Sequence, residues 1–169
     1  MYRRIAALAL LAGTALPLAA LAQEATPPAA PKWDVNAPTG ATIRQVPLRV
    51  SEGSWMDLDV SPDGRTLAFT LMGDIYTMPI SGGTPTRIAE GLAWEVQPRF
   101  SPDGQRIAFT SDRGGGDNIW VMNLDGGDKR QVTKEDFRLL NQPSWSPDGQ
   151  FIVAKKHFTT GRSLGTGEV

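Results

Sequence analysis

The stretch that decides the fold is RFSPDGQRIAFT at residues 99–110. Two close copies flank it: VSPDGRTLAFT begins at Val60, and WSPDGQFIVAKK begins at Trp145. In all three, SPDG follows a large apolar residue and precedes an apolar run typical of a strand. The three serines stand at positions 61, 101 and 146. Self-similarity at a period of about 40 residues indicates a repeat architecture.

The repeat extends beyond these four letters. DIYTMPI followed by SGG at residues 74–83 matches NIWVMNL followed by DGG at residues 118–127, and an insertion within SDRGGGDN accounts for the longer second spacing. Each unit is therefore predicted to have four strands, A to D. Strand A ends at Val60, Phe100 or Trp145, strand B covers residues 66–70, 106–110 or 151–155, strand C carries DIYTMPI or NIWVMNL, and strand D carries TRIA or RQVT.

The SPDG motif is predicted to be the turn from strand A to strand B. Proline presets φ for the first central position, and aspartate bonds locally to the backbone. Glycine takes a left-handed conformation that costs other residues roughly 1–2 kcal/mol. The predicted structural turn residues are Ser61, Pro62, Asp63, Gly64, Ser101, Pro102, Asp103, Gly104, Ser146, Pro147, Asp148 and Gly149.

Strand B alternates large and small side chains, which suits sheets stacked face to face. The large pairs are Leu67/Phe69 and Ile107/Phe109, and the small residues between them are Ala68 and Ala108. Four-stranded units of about 40 residues are typical of the blades of a β-propeller. We therefore predict an all-β, partial β-propeller of four-stranded antiparallel blades. A β-sandwich is the competing fold, but it does not explain a repeat of whole four-stranded units.

The two ends of the chain suggest an incomplete ring. LRV at residues 48–50 followed by EG resembles RIA followed by EG at residues 87–91, and this predicts a lone strand D before the first full blade. At the other end, residues 167–169 align with residues 117–119, where a strand C begins. A closed propeller needs about four blades, whereas this sequence has two full blades and part of a third. We expect the N-terminal fragment of a longer protein.

The first 22 residues are typical of a cleaved export signal. Arg3 and Arg4 precede a short apolar run, which Pro17 interrupts, and small residues stand at positions 20 and 22. The mature protein is expected to be periplasmic or secreted, without a membrane span after signal removal. Residues 23–40 are rich in proline and alanine and predict a linker. Residues 41–169 are assigned to the incomplete propeller, with repeats at about 54–89, 93–133 and 142–169.

Charge and cysteine content exclude several classes of function. The chain has 17 basic and 18 acidic residues, so nothing favours nucleic acid as a partner. It has no cysteine, which excludes disulfides, thiolate metal ligands and a cysteine nucleophile.

Each pattern in the sequence that resembles a catalytic or ligand-binding motif lacks a feature that its chemistry requires. GRSLG at residues 161–165 matches a nucleophile elbow, but a strand rather than a helix is predicted to follow it. The single histidine, His157, is expected at the surface or in a loop. Asp57, Asp59 and Asp63 lack the order of a calcium loop, and the glycines of SDRGGGDN open no helix. No catalytic, cofactor or metal residue is therefore assigned in this chain.

SPDG followed by IAFTSDRGG and NIWVMNLDGG, and then RQVT, resembles the WD40-like (PD40) repeats of TolB-type propellers over residues 55–169. The runs KWDVNAP, LAWEVQPRFSPDG and KEDFRLLNQPSWSPDG are most similar to the N-terminal propeller of exported amidohydrolases. That resemblance implies a binding or substrate-gating module, followed by a metal-dependent catalytic barrel that this chain lacks. A divalent metal, with zinc expected, would belong to that missing domain.

Three functions follow from the resemblance and stay open. The first is the propeller of an exported amidohydrolase. The second is a non-enzymatic TolB-like adaptor in the cell envelope, and the third is the propeller of a prolyl-oligopeptidase-like serine peptidase. The expected partner is a protein or peptide, or the protein's own downstream catalytic domain.

Two tryptophans are the candidate contact residues. Trp55 and Trp94 follow Glu52-Gly53 and Glu90-Gly91 in the connections from strand D to strand A. Loops at this end of a blade gather around the propeller axis. The two indole rings either pack between blades or contact a peptide or protein partner.

Overall fold

Three antiparallel sheets follow one another along the chain. The computed structural model describes residues 33–157 and 167–168, so the export signal, most of the linker and the GRSLG motif lie outside the described residues. Every regular element in the described ranges is a strand, and no helix there has the length and apolar character needed to cross a membrane. The all-β prediction is confirmed.

The sheets correspond to the predicted blades. Blade 1 contains β1 (Leu58–Val60), β2 (Thr66–Leu71), β3 (Asp74–Pro79) and β4 (Thr86–Ala89), in that spatial order. Blade 2 repeats this order with β5 (Glu95–Phe100), β6 (Arg106–Ser111), β7 (Asn118–Asn123) and β8 (Arg130–Gln131). The third sheet consists of β9 (Leu140–Trp145), β10 (Ile152–His157) and β11 (Gly167–Glu168). Two full blades and part of a third are thus present.

The blades meet along their first strands. The strands β1 and β5 contact each other, as do β5 and β9, and each of these is the edge strand that begins its sheet. Hydrogen bonds cross both junctions: the Phe100 N–H donates to Asp59 Oδ2 at 2.7 Å, and Trp145 Nε1 donates to the Arg99 carbonyl at 3.1 Å. Sheets joined at their inner strands are arranged as the blades of a propeller.

The core lies between blade 1 and blade 2. Small Ala68 and Ala89 from blade 1 belong to the same buried cluster as Ile107 and Phe109 from blade 2. Phe109 and Ile107 are completely buried, and a fully buried side chain of this kind contributes roughly 1.5–3 kcal/mol. The alternation of small and large residues along strand B therefore produces complementary faces on successive blades.

The SPDG motifs lie at the three turns from the first to the second strand of each sheet. In the first, Ser61 Oγ donates to Asp63 Oδ1 at 2.6 Å and accepts from the Thr66 N–H at 2.9 Å. Gly64 has φ of 71°, where a side chain would be strained. The same bonds recur in the other two turns. The serine hydroxyl, which the sequence reasoning did not use, therefore links the turn to the next strand.

Several strand bounds differ from the prediction by one or two residues, and hydrogen bonds explain two of these differences. Strand β8 ends at Gln131 rather than at Thr133, because the Thr133 hydroxyl accepts the Ile119 N–H at 2.9 Å in place of a backbone carbonyl. Strand β10 reaches His157, which is buried. The expectation of a surface or loop histidine was wrong, because the His157 N–H donates to the Leu139 carbonyl and extends the strand.

The described residues before β1 contain no strand. Asn36 Nδ2 donates to the carbonyl of Arg113 at 2.9 Å, so this part of the predicted linker contacts blade 2. Residues 48–50, predicted as a lone strand D, pair with no strand among the described residues. Their predicted sheet partners are not among those residues either. Leu48 and Val50 are instead half exposed.

Candidate functional site

The order of strands gives each blade two different ends. In an up-and-down sheet, the turns after the first and third strands lie at one end, and the hairpin after the second strand lies at the other. We call the end with the second-strand hairpins, residues 72–73 and 112–117, the hairpin face. The chain also crosses between blades there. Glu95 N–H donates to the Gly73 carbonyl, and Leu140 N–H repeats this bond to the Asp117 carbonyl.

Two adjoining clefts open on the hairpin face, and Trp55 and Trp94 line both. The first cleft has a volume of about 440 Å³ and a mainly apolar lining. The second cleft has a volume of about 390 Å³ and a more polar lining. The apolar residues of the first include Leu48, Val50, Leu71 and Met72, and the polar residues of the second are Asp57, Gln97, Thr110, Asp117 and Asn141.

Two contacts fix the position of Trp94: a hydrogen bond from its backbone N–H and the packing of its ring on Gly73. The N–H of Trp94 donates to Asp112 Oδ1 at 2.7 Å. A Cβ on Gly73, where φ is 86°, would lie 2.7 Å from Cε3 of the Trp94 ring. The ring therefore packs directly on the backbone of the blade 1 hairpin, and it is still 44% exposed toward the clefts.

Trp55 is arranged differently. It is 98% exposed, so its ring is not packed between blades. Its φ is 57°, a left-handed conformation that is uncommon for residues other than glycine and costly for a bulky one. The structure thus brings both predicted tryptophans to the same clefts, one fixed against a hairpin and one projecting into solvent.

A buried ion pair follows Trp94 directly in the chain. Glu95 is completely buried and pairs with Arg113, whose guanidinium lies 5.6 Å from the centre of the Trp120 ring. Burial raises the pKa of Glu95, although the charges of Arg113 and Lys129 act in the opposite direction. The pair joins Glu95, the first residue of β5, to Arg113 in the hairpin after β6. Separating the two side chains would leave an uncompensated buried charge, which is strongly destabilising.

Two equivalent glutamines join blades 2 and 3, and Gln97 also lines the second cleft. Gln97 and Gln142 have φ of 58° and 53°, and both precede a proline in a first strand. Gln97 Oε1 accepts from Thr110 Oγ1 at 3.0 Å and from the Gln142 N–H at 2.7 Å. Sequence reasoning missed these residues. The repeated Gln-Pro pair in EVQPRF and LNQPSW is the signal that was available.

Acidic and amide groups complete the second cleft. Asp117 is 5% exposed, and Asp57 is half-buried. Asn141 Nδ2 lies 3.0 Å from His157 Nε2, while Asn141 Oδ1 is buried without a hydrogen-bond partner. Among the described residues, no group of three His, Cys, Asp or Glu side chains could hold a metal ion.

The acidic residues around β1 and the glycine-rich run, which the sequence analysis excluded as ligand sites, have structural roles in the described part of the chain. Asp59 accepts the Phe100 N–H, and Asp63 accepts the Ser61 hydroxyl, so both carboxylates serve the fold. The glycines of SDRGGGDN lie in the hairpin between β6 and β7, where Gly115 N–H donates to the Asp112 carbonyl.

The family model of the TolB beta propeller domain (PD40) matches residues 44–164. The chain belongs to the TolB β-propeller family. Among curated relatives of this TolB-type propeller, Tricorn protease homolog 1 of Streptomyces coelicolor is 31% identical over 54% of the chain and 9% of the relative. The uncharacterized peptidase YuxL of Bacillus subtilis is 34% identical over 56% of the chain and 14% of the relative.

Solved structures show the same propeller fold. The putative TolB from Agrobacterium tumefaciens has a TM-score of 0.58 and 29% identity over 63% of this chain and 40% of that chain. TolB from Acinetobacter baumannii has a TM-score of 0.52 and 27% identity over 65% of this chain and 28% of that chain. The chain thus spans less than half of the length of each of these relatives. None of the relatives named here is an amidohydrolase, so the resemblance to that group gains no support.

Proposed function

We propose that this TolB-type propeller is a non-catalytic module that binds a peptide segment at its hairpin face. The observation that carries the proposal is the pair of clefts that Trp55 and Trp94 line together. Tryptophan is enriched at binding hot spots, since a rigid aromatic ring buries a large area at little entropic cost. An extended peptide would place one side chain in each cleft.

The relatives favour a peptidase as the parent protein over an amidohydrolase. Two curated relatives bear the names of a tricorn protease homolog and a peptidase. In such a protein the propeller would hold or admit peptide substrates, while another domain would perform the chemistry. This corresponds to the third of the functions that the sequence left open. The metal-dependent barrel and its zinc remain a prediction tied to the amidohydrolase hypothesis.

A TolB-like adaptor is the second candidate. It is supported by the two TolB structures, which are 29% and 27% identical to this chain. An adaptor would bind a segment of a folded envelope protein at the same face. Export is supported by the signal-like pattern of the first 22 residues. We propose a periplasmic or secreted location on that basis.

The test uses the full chain and an array of randomised, extended dodecapeptides. Wild-type protein should bind a subset of the peptides. The Trp55→Ala variant should bind the same subset about tenfold more weakly, because a central aromatic anchor is lost. Trp55 is almost entirely exposed, so its truncation leaves the core intact.

The matched control is Phe151→Ala. Phe151 is also an exposed aromatic residue, at 66%, but it follows the SPDG turn at the opposite end of blade 3. Its truncation should leave peptide binding unchanged. Equal binding by wild type and Trp55→Ala, or no binding to any peptide, would reject the proposed site.

A further inference from the structure

The residues that line the second cleft include acidic side chains and no basic side chain. Asp57 and Asp117 line it together with both tryptophans. Among the described residues that line either cleft there is no lysine, arginine or histidine. Glu52 adds a third carboxylate at the first cleft. A concave site with one sign of charge concentrates ligands of the opposite sign, so the electrostatics favour a cation.

The other lining groups also suit a cation with an apolar stem. The face of an indole ring attracts an ammonium or guanidinium group, and tryptophan does so best among the aromatic residues. Met56 and Val96 provide apolar surface beside the carboxylates, where a methylene chain would pack. The cleft therefore offers separate contacts to the stem and to the head of a long basic side chain.

The unpaired acceptors favour arginine over lysine. Asn141 Oδ1 is buried without a donor, and no hydrogen bond or ion pair within the described residues involves the Asp57 carboxylate. A guanidinium carries five N–H donors in a planar fork and can bond to several acceptors at once. An ammonium group has three donors at a single point and is more strongly hydrated.

We propose that the second cleft binds the arginine side chain of a peptide, between the rings of Trp55 and Trp94 and beside the carboxylate of Asp57. This inference rests on the proposed peptide-binding function and specifies its ligand. The apolar first cleft then receives a neighbouring apolar side chain of the same peptide. The recognised sequence is thus a basic residue next to an apolar one.

The probe is a tripeptide with arginine at its centre, acetylated and amidated at its ends, titrated calorimetrically into the full chain. It should bind about tenfold more tightly than the same peptide with glutamine at the centre, because the glutamine lacks the charge. The affinity should fall as salt is added. A lysine peptide should bind with intermediate affinity.

Two variants locate the contact. Asp57→Asn keeps the size of the side chain and should weaken arginine binding about tenfold while leaving glutamine binding unchanged. Asp128→Asn is the matched control, since Asp128 is an exposed carboxylate beyond β7, in the turn to β8 at the opposite end of blade 2. It should bind like wild type. Trp55→Ala, at an exposed position, provides a second variant that retains the fold.

The outcomes separate this inference from the proposed function. If the arginine and glutamine peptides bind equally well, arginine recognition is rejected, while peptide binding stands. If a glutamine peptide with a free amino end binds as tightly as the arginine peptide, the cleft recognises an amino terminus, and the inference is likewise rejected. If neither these peptides nor the dodecapeptide array is bound, both proposals fail.

Discussion

The backbone nitrogen of Gln142 lies 2.7 Å from Oε1 of Gln97, and this bond joins the same position of two successive blades. Both residues have left-handed φ angles, of 53° and 58°. The register of β5 against β6 shifts between Val96 and Arg99, so Gln97 lies in a bulge. A bulge turns a side chain out of the regular alternation, and here it directs the Gln97 amide toward the next blade.

Gln97→Ala should lower the free energy of unfolding by about 1–2 kcal/mol. It removes the acceptor shared by Thr110 Oγ1 and the Gln142 N–H, and each lost hydrogen bond in a partly buried site costs about 1 kcal/mol. The measurement is urea denaturation of the full chain. Gln105→Ala is the control, because Gln105 is exposed next to an SPDG turn and its side chain makes no hydrogen bond in the described structure. Equal losses in the two variants would contradict the cross-blade role.

Ser101→Ala should destabilise the protein more than Ser146→Ala. Ser101 is completely buried, and its hydroxyl both donates to Asp103 and accepts the Arg106 N–H at 2.9 Å. Without the hydroxyl, the partly buried N–H of Arg106 loses its acceptor, which costs about 1–3 kcal/mol. The corresponding bonds of Ser146 are solvent-exposed, and water replaces them. Urea midpoints of the two variants provide the comparison, and equal shifts would refute it.

Gly126→Ala should cost about 1–3 kcal/mol more than Gly82→Ala, by the same denaturation assay. The two glycines occupy equivalent positions of blades 2 and 1, with φ of 80° and 92°. A Cβ at Gly126 would lie 2.1 Å from the Ile88 carbonyl oxygen of blade 1, whereas nothing lies within 4 Å of a Cβ at Gly82. Both variants place a side chain in a left-handed backbone conformation, which costs a similar free energy in each. The difference between their losses in unfolding free energy therefore reports the contact between the blades. Similar losses of unfolding free energy in the two variants would show that the turn at Gly126 makes no close contact with blade 1.

Glu135→Gln should destabilise the protein at neutral pH and progressively less in acid. Hydrogen bonds from Lys156, and from the backbone N–H groups of Arg138 and Phe137, lower the pKa of Glu135 from 4.5 to about 2. Because the folded pKa is lower than the unfolded one, this stabilisation is present above pH 4.5 and is lost as the pH falls toward 2. Unfolding free energies of wild type and variant at pH 7, 4 and 2.5 test this. Lys156→Met should show the same trend, and a difference independent of pH would contradict it.

The sequence predicted the elements that depend on local chemistry. The SPDG letters and the spacing of the apolar runs located the first, second and third strands of each blade to within about two residues, since turn residues and alternation act within a few positions. The bulges at Gln97 and Gln142 were not predicted, because a left-handed glutamine is retained only by partners on the next blade. The burial of Glu95 was missed for the same reason, since Arg113 becomes its partner only in the folded blade.

The clefts were predicted only in part. The positions of Trp55 and Trp94 between strands indicated the correct end of the blades. Their surroundings were not deducible, because Asp57, Asp117 and Asn141 come from three separate segments of the chain. Only the order in which the blades pack brings these side chains together.

The SPDG turns of adjacent blades also touch one another: a Cβ at Gly104 would lie 3.6 Å from Cδ of Pro62, and a Cβ at Gly149 would lie 3.7 Å from Cδ of Pro102. Each motif therefore presents its proline to the glycine that follows one blade later, and the same geometry is reproduced at every step. A gene duplication that copies one whole unit would insert a blade whose two sides already match both of its new neighbours. Growth of such a ring by whole units preserves every junction, while gain or loss of half a unit breaks two of them.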